Sequence, residues 1–256
     1  MTVLIRLARL HARASVLAHR ALGATDGFVA GVLDGALSIE QKSKLGVDLY
    51  DAAPHYRDCG TLFDWEERWF DRRLHGAKRV LVGACGAGRE VCALLERGQR
   101  VSGFEPAESL LELAKARAPR AELWRDAYES WSSSAQADHY DAVLLGWGSL
   151  SHVLSPDERI RLLTECVRVC PTGPILVSYW PRTTNPAAAR ARQLGATLGG
   201  ALGDGLVLGD AYRANIGFIH MFAKEELKEL ATHVGRQLVI EGGPSDYSHA
   251  TFLPPS

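Results

Sequence analysis

From Arg79 onward, short apolar runs alternate with amphipathic segments, and no other feature of the sequence limits the possible folds as strongly. The segments between the runs have helical periodicity, and Ser155 followed by Pro156 and Glu158 has the pattern of a helix start. Strands that alternate with helices pair in parallel and are covered on both faces. The sequence therefore predicts a doubly wound α/β fold with a mostly parallel sheet. The predicted strands are residues 80–82, 101–104, 121–124, 141–146 and 174–179.

The chain leaves this strict alternation at both ends. Residues 1–78 show no strand-like alternation and predict a helical N-terminal cap, so residues 79–256 are the predicted Rossmann-like core. Within that core, residues 195–209 are rich in glycine, which predicts a flexible inserted loop. The last two predicted strands, around Leu238 and Thr251, have no helix between them, which predicts an antiparallel C-terminal hairpin at the sheet edge.

The N-terminal region contains three predicted helices. Residues 1–22 are a basic amphipathic segment whose arginines interrupt every apolar run, so it is predicted to be neither a secretory signal nor a membrane span. Ser38 and Gln41 have the spacing of a capping box, which predicts a helix through about Ala52. A further helix is predicted over residues 64–74.

Charge and cysteine content disfavour several classes of protein. The net charge is -1, with 29 basic and 30 acidic residues, so the basic excess of nucleic-acid-binding proteins is missing. Five cysteines, an odd number without paired spacing, favour a reducing, cytoplasmic setting over a disulfide framework. We expect a small-molecule or peptide substrate, no nucleic acid, no membrane span, no metal site, and a monomer or homodimer.

A glycine turn follows the first predicted strand and opens a helix. Gly86 and Gly88 allow the backbone to turn sharply and to approach a ligand closely. Glu105 ends the second strand about 20 residues later, the position from which a carboxylate accepts hydrogen bonds from the ribose hydroxyls of a nucleoside. Asp126 ends the third strand, where its carboxylate would accept from an adenine amino group, although an ordinary loop-starting aspartate fits equally well. These residues predict a nucleoside site.

An ordered series of segments resembles the motifs of the class I (Rossmann-like) S-adenosylmethionine-dependent methyltransferases, over roughly residues 48–253. The resemblance implies S-adenosylmethionine as methyl donor and S-adenosylhomocysteine as product. The matching segments are Leu49–Asp51 with Tyr56, residues 80–90, Phe104–Pro106, Asp126–Ala127, Tyr140–Val143, Ser149–His152 and Phe222–Leu227. The cofactor-binding residues that it implies are Tyr50, Tyr56, Ala84, Gly86, Gly88, Glu105, Pro106, Asp126, Ala127, Gly146 and Trp147.

Two positions depart from the family pattern. Ala84 stands where the first glycine of the turn is usual, and Val82 stands where an acid usually orders the methionine ammonium group. We expect the backbone carbonyls of Ala84 and Gly146 to hold the ammonium instead, with Tyr50 or Tyr56 closing over the nucleoside.

Candidates for a catalytic base must lie at the carboxyl ends of the strands. His152 follows the fourth strand, where it would face the pocket or fix the loop, and His220 has alternating apolar neighbours that fit a buried structural histidine equally well. Tyr179 ends the fifth strand and would contribute to an aromatic wall or to the core. The further candidates for substrate contact are Trp180, Asp210 and Tyr212.

The sequence thus predicts methyl transfer to a small molecule or a peptide side chain, at oxygen, nitrogen or a carboxylate. One alternative is a non-catalytic binding protein on a methyltransferase fold, which Val82 favours. The other is an NAD-dependent oxidoreductase, whose G-x-G-x-x-G spacing the glycine turn does not match.

Overall fold

The computed structural model of the chain confirms the predicted α/β architecture. Among the residues that it describes, no helix has both the length and the apolar character needed to cross a bilayer. Four of the five cysteines lie in this part of the chain, and all four are free thiols. The described residues are 18, 21–52, 60–132, 139–182, 186–198, 209–213, 216–243 and 245–255.

A seven-stranded sheet forms the centre of the molecule, in the order β3-β2-β1-β4-β5-β10-β9. The first five of these strands pair in parallel, whereas β10 is antiparallel to both β5 and β9. The predicted parallel sheet and C-terminal hairpin are therefore confirmed. The strands in the described part of the chain are β1 (Arg79–Gly83), β2 (Arg100–Phe104), β3 (Glu122–Trp124), β4 (Ala142–Leu145), β5 (Ile175–Ser178), β6 (Trp180–Pro181), β7 (Asp210–Arg213), β8 (Gly217–Phe222), β9 (Gln237–Glu241) and β10 (His249–Leu253).

Two helices begin where the sequence places their caps. The Ser38 amide donates to Gln41 Oε1 at 2.9 Å, and the Gln41 amide donates to Ser38 Oγ at 3.2 Å, which confirms the capping box. Ser155 Oγ accepts from the Glu158 amide at 3.4 Å. The helices are α1 (residues 21–36), α2 (Ile39–Ala52), α3 (Asp64–Arg73), α4 (Arg89–Glu96), α5 (Glu108–Arg117), α6 (Pro156–Val169), α7 (Pro186–Leu198) and α8 (Lys224–His233), with a 3₁₀ turn at Ser149–His152.

Side chains alternate between two cores, one on each face of the sheet. Val80 and Val82 of β1 pack in one core with residues of α3, α4 and α5, including Trp69. Leu81 points to the opposite face and packs in the other core with residues of α6 and α8, including Leu162. This burial on both faces explains why the strands are continuous apolar runs.

A second, three-stranded sheet with the order β6-β8-β7 was not predicted. Of its strands, only β8 coincides with a mostly apolar run of strand length in the sequence, near Ile216 to Met221. The sheet packs closely on α2, because a Cβ atom at Gly217 would lie 3.1 Å from the Gly46 Cα atom. The helix α2 is therefore supported by this second sheet.

The predicted boundary of the glycine-rich loop at 195 is wrong, because α7 continues to Leu198. Gly195 lies inside this helix because the backbone of α1 approaches it closely. A Cβ atom at Gly195 would lie 2.1 Å from the Phe28 carbonyl oxygen, and one at Gly31 would lie 1.9 Å from that of Arg192. Two helices cross here in backbone contact, which only glycine permits. The other residues of that loop, 199–208, lie outside the described part of the chain, as does nearly all of the predicted helix at 1–22.

Candidate active site

A cavity of about 580 Å³ lies at the carboxyl ends of β1 to β4, where ligands of doubly wound folds bind. The turns after these strands form one wall, and α2 forms the opposite wall. The turns contribute Ala84–Ala87, Glu105, Pro106, Ala127–Glu129, Gly146 and Trp147, and α2 contributes Lys42, Ser43, Gly46, Val47 and Tyr50.

The glycine turn has the backbone conformation that the sequence predicts. Gly86 and Gly88 have φ angles of 54° and 89°, in the left-handed region that favours glycine. Gly88 also permits close packing of α4 on α5, since a Cβ atom there would lie 3.1 Å from the Ala114 Cα atom. Ala84 likewise has a positive φ of 50°, so its side chain occupies a strained position at which the family has glycine.

We expect Ala84→Gly to stabilise the fold by about 0.5 kcal/mol. Relief of the left-handed conformation of an L residue gains about 1–2 kcal/mol, and the greater freedom of glycine in the unfolded chain offsets about 0.5–1 kcal/mol of this. Urea unfolding would measure the change, with Ala87→Gly in the same turn as the control. Ala87 has no positive φ, so the control should be destabilised, and equal destabilisation of both variants would contradict the prediction.

Glu105 is buried at the end of β2 with its carboxylate on the glycine turn. Its Oε2 accepts from the Gly86 amide at 2.8 Å and its Oε1 from the Ala107 amide at 2.9 Å. Burial raises the pKa of this carboxyl to about 7, although the two amide hydrogen bonds oppose the shift. A carboxylate has about four acceptor sites, so two remain for the hydroxyl donors of a ligand.

Tyr50 and His152 meet in the cavity from α2 and the 3₁₀ turn. The Tyr50 hydroxyl lies 3.0 Å from His152 Nε2, and the two rings are edge-to-face with centroids 5.1 Å apart. Burial lowers the pKa of His152 to about 4, so the imidazole is neutral at physiological pH. The pair thus provides hydrogen-bonding groups without adding a charge.

An ion-pair network that the sequence did not predict lies beside Trp147. The Arg89 guanidinium binds both carboxylate oxygens of Glu66, at 2.5 and 2.7 Å, and Glu90 Oε1 at 2.8 Å. It also stacks over the Trp147 ring, 4.3 Å from the centroid. These contacts fix the Glu90 carboxylate at the cavity wall.

Glu90 lines the cavity close to Gly146, at the carboxyl end of β4. Val82 is buried in the apolar core, whereas a Cβ atom at Gly146 would lie only 3.1 Å from Glu90 Oε1. Burial raises the pKa of the Glu90 carboxyl, and the neighbouring Arg89 opposes this shift. An acid in the first turn of a helix is common, so its sequence position alone does not single it out.

Several predicted site residues do not line the cavity. Asp126 Oδ1 accepts from the Ala127 amide at 2.9 Å and from Ser130 Oγ at 2.5 Å, and so closes its own turn. Tyr56 lies outside the described residues. Those that do line it are Tyr50, Ala84, Gly86, Glu105, Pro106, Ala127, Gly146, Trp147 and His152.

His220 lies away from the cavity, buried between two acids. Its Nδ1 lies 2.6 Å from Asp210 Oδ1 and its Nε2 lies 2.6 Å from Glu226 Oε1. Burial lowers the pKa of His220, but the two acids outweigh this effect and the net shift is upward. Arg182 and Arg159 pair with Glu226 at 2.7 and 3.5 Å. Both ring nitrogens of His220 face carboxylate oxygens, so the geometry favours a structural role, in which the imidazolium holds two acids together.

The remaining aromatic candidates also lie outside the cavity lining. Tyr179 is buried in the core, where its ring meets Phe222 edge-to-face. Tyr212 packs against Phe218, with centroids 5.3 Å apart. The Trp180 amide donates to Ser151 Oγ at 2.9 Å. In the described part of the chain these residues therefore surround the site rather than line it.

Comparison with known proteins agrees with this geometry. Residues 80–173 match the family described as a methyltransferase domain. A glycine/sarcosine N-methyltransferase from Aphanothece halophytica is 30% identical over 106 residues, which are 40% of this chain and 40% of that protein. The chain thus spans about 40% of the length of this curated relative.

Solved structures show the same fold. The sugar N-methyltransferase KedS8 from Streptoalloteichus sp. ATCC 53650 has a TM-score of 0.54 at 17% identity, covering 75% of this chain and 86% of that one. CalS10, an amino pentose methyltransferase from Micromonospora echinaspora solved with S-adenosylmethionine bound, has a TM-score of 0.54 at 16% identity, covering 79% and 95%. Residues 80–173 are therefore similar to a methyltransferase domain, and the chain has the α/β fold of these methyltransferases.

Proposed function

We propose that this protein transfers a methyl group from S-adenosylmethionine to a nitrogen atom of a small molecule. The observation that carries the proposal is the buried Glu105 carboxylate beside the glycine turn, in a cavity whose lining continues along α2 as far as Lys42. Two of the similar proteins are N-methyltransferases, of glycine or sarcosine and of a sugar, which favours nitrogen as the acceptor.

The residues present fit the cofactor at both of its ends. Glu105 would accept the two ribose hydroxyls, and the glycine turn lets the backbone approach closely. At the methionine end, Glu90 would supply the negative charge that Val82 lacks, beside the Gly146 carbonyl. The bound cofactor supplies an electrophilic methyl group on a sulfonium centre.

Around the transferred methyl group, the protein would act mainly by orienting the acceptor in a site with little water. Tyr50 and His152 would accept hydrogen bonds from the N–H groups of a neutral acceptor amine, which leaves the lone pair of its nitrogen free to attack the methyl carbon. Because the pKa of His152 is lowered to about 4, its neutral ring places no second positive charge beside the sulfonium.

The function is tested by incubating the chain with S-adenosylmethionine and a panel of small amines, including glycine, sarcosine and aminosugars. We expect S-adenosylhomocysteine and one methylated product to form in equal amounts. If the chain binds S-adenosylhomocysteine but methylates no member of the panel, the non-catalytic alternative would be favoured instead.

We expect Glu105→Ala to weaken the binding of both S-adenosylhomocysteine and 5′-methylthioadenosine, which lacks the amino-acid group, by about 1.5–3 kcal/mol. The reason is the loss of charge-assisted hydrogen bonds to the ribose. Calorimetry would measure the change, with the exposed Glu108→Ala as the control.

The pH dependence of the same binding gives an independent check on Glu105. Its carboxyl has a pKa of about 7, so it becomes protonated as the pH falls from 8 to 6 and loses acceptor capacity. Affinity of the wild type for 5′-methylthioadenosine should fall over this range, and Glu105→Ala should remove the dependence. A variant that keeps the wild-type pH profile would mean that another group titrates.

A further inference from the structure

The cavity has a second end, formed by the amino-terminal half of α2. Lys42 and Ser43 line it there together with Phe218 of β8. Tyr50 lies about 12 Å further along the helix, beside the nucleoside end, where Asp51 accepts a hydrogen bond from the Ser109 amide at 2.9 Å. The Lys42 end therefore lies beyond the cofactor site, on the side that remains for an acceptor.

Positive charge exceeds negative charge at this end. The Lys42 ammonium lies 2.9 Å from Asp34 Oδ1, and the Arg192 Nε atom donates to Asp34 Oδ2 at 2.6 Å. Among the described residues no second carboxylate pairs with either cation, so two cations share one buried acid. Buried charges are normally paired, which leaves one positive charge for an anionic partner.

One further group points to the same kind of partner. Ser43 Oγ is inaccessible to solvent and has no hydrogen-bond partner in the described part of the chain. Buried hydroxyl groups are normally satisfied, so a ligand oxygen is the expected partner. Lys42 is 8% exposed, and its ammonium lies 5.3 Å from the centroid of the Phe218 ring, which also lines the cavity.

We propose that this end of the cavity binds the carboxylate of the methyl acceptor, with the Lys42 ammonium and the Ser43 hydroxyl as donors. The inference rests on the proposed function and specifies its substrate class. One unbalanced positive charge and one hydroxyl match a singly charged carboxylate better than a doubly charged phosphate. The acceptor is therefore a small amine that carries a carboxylate.

The test compares matched acids and amides: glycine with glycinamide, β-alanine with β-alaninamide, and anthranilate with anthranilamide. Methyl transfer is measured by kcat/KM, and binding to the chain saturated with S-adenosylhomocysteine is measured by calorimetry. At least one acid should be preferred to its amide by about 10- to 100-fold. Lys42→Met should remove this preference, whereas Lys44→Met, on the exposed side of the same helix, should keep it.

Asp34 keeps its pairing with Arg192 in Lys42→Met, so the variant is expected to fold, and thermal unfolding would verify this. Lys42→Arg, which keeps the charge, should retain part of the preference. The proposal is overturned if amides are bound and methylated as well as acids, if Lys42→Met still discriminates, or if no acid binds the loaded chain. A chain that does not bind S-adenosylhomocysteine would overturn the proposed function itself.

Discussion

Replacement of Glu90 by glutamine is expected to weaken the binding of S-adenosylhomocysteine by at least about 30-fold and to leave that of 5′-methylthioadenosine unchanged. Both ligands carry the nucleoside, but only the first carries an amino-acid ammonium group, which corresponds to that of the methionine. Loss of one member of a buried, hydrogen-bonded charge pair costs about 2–5 kcal/mol. Calorimetry with the two ligands therefore separates the methionine end of the site from the nucleoside end.

The control for this experiment is Glu129→Gln, which removes an exposed carboxylate that lines the same cavity. Arg89 keeps both hydrogen bonds to Glu66 in Glu90→Gln, so the cavity wall should remain folded. An equal loss for both ligands would mean that Glu90 only shapes the site. Unchanged affinity for both ligands would mean that the backbone carbonyls of Ala84 and Gly146, rather than Glu90, bind the ammonium group.

His220→Leu is expected to lower the free energy of unfolding by about 3–5 kcal/mol, because it leaves two carboxylates facing each other without the cation between them. Asp210 and Glu226 each lie 2.6 Å from the imidazole. Glu226 keeps its ion pairs with Arg182 and Arg159, whereas the side chain of Asp210 loses its ion-pair partner. Urea unfolding would measure the loss.

The contribution of His220 should also depend on pH. Its pKa is raised in the folded protein, so its stabilising effect is complete below the unfolded value of about 6.5 and is lost as the pH rises through the folded pKa. The difference between wild type and His220→Leu should shrink accordingly. The exposed His233→Leu on α8 is the control, with an expected change within about 0.5 kcal/mol. An equally small change for His220→Leu would contradict the structural role.

The main elements of the fold could be predicted because they depend on local patterns. Apolar runs of strand length, the Ser38 and Ser155 caps, and the hairpin without a helix all correspond to observed elements. The strands β6 and β7 could not be predicted, since they are short edge strands without alternation. Gly195 was misplaced because a glycine at a helix crossing and a glycine in a loop look the same in sequence.

Apart from Tyr50 on α2, which the family resemblance supplied, the candidate site could be predicted only in the turns that follow the strands. Glu105, Gly86 and His152 were found in this way, and all three line the cavity. Glu90 and Lys42 were missed, because a first-turn acid and a lysine on an amphipathic helix normally face solvent. Their burial arises from the packing of α2 and α4 around the cavity, which is not encoded in local spacing.

We infer that the cavity binds the adenosyl cofactor of class I methyltransferases, and calorimetry of the full chain with S-adenosylhomocysteine and with NAD is the decisive experiment. We expect saturable one-to-one binding of S-adenosylhomocysteine that Glu105→Ala weakens, together with no measurable binding of NAD. Tight binding of NAD without binding of S-adenosylhomocysteine would contradict the assignment of both cofactor and function.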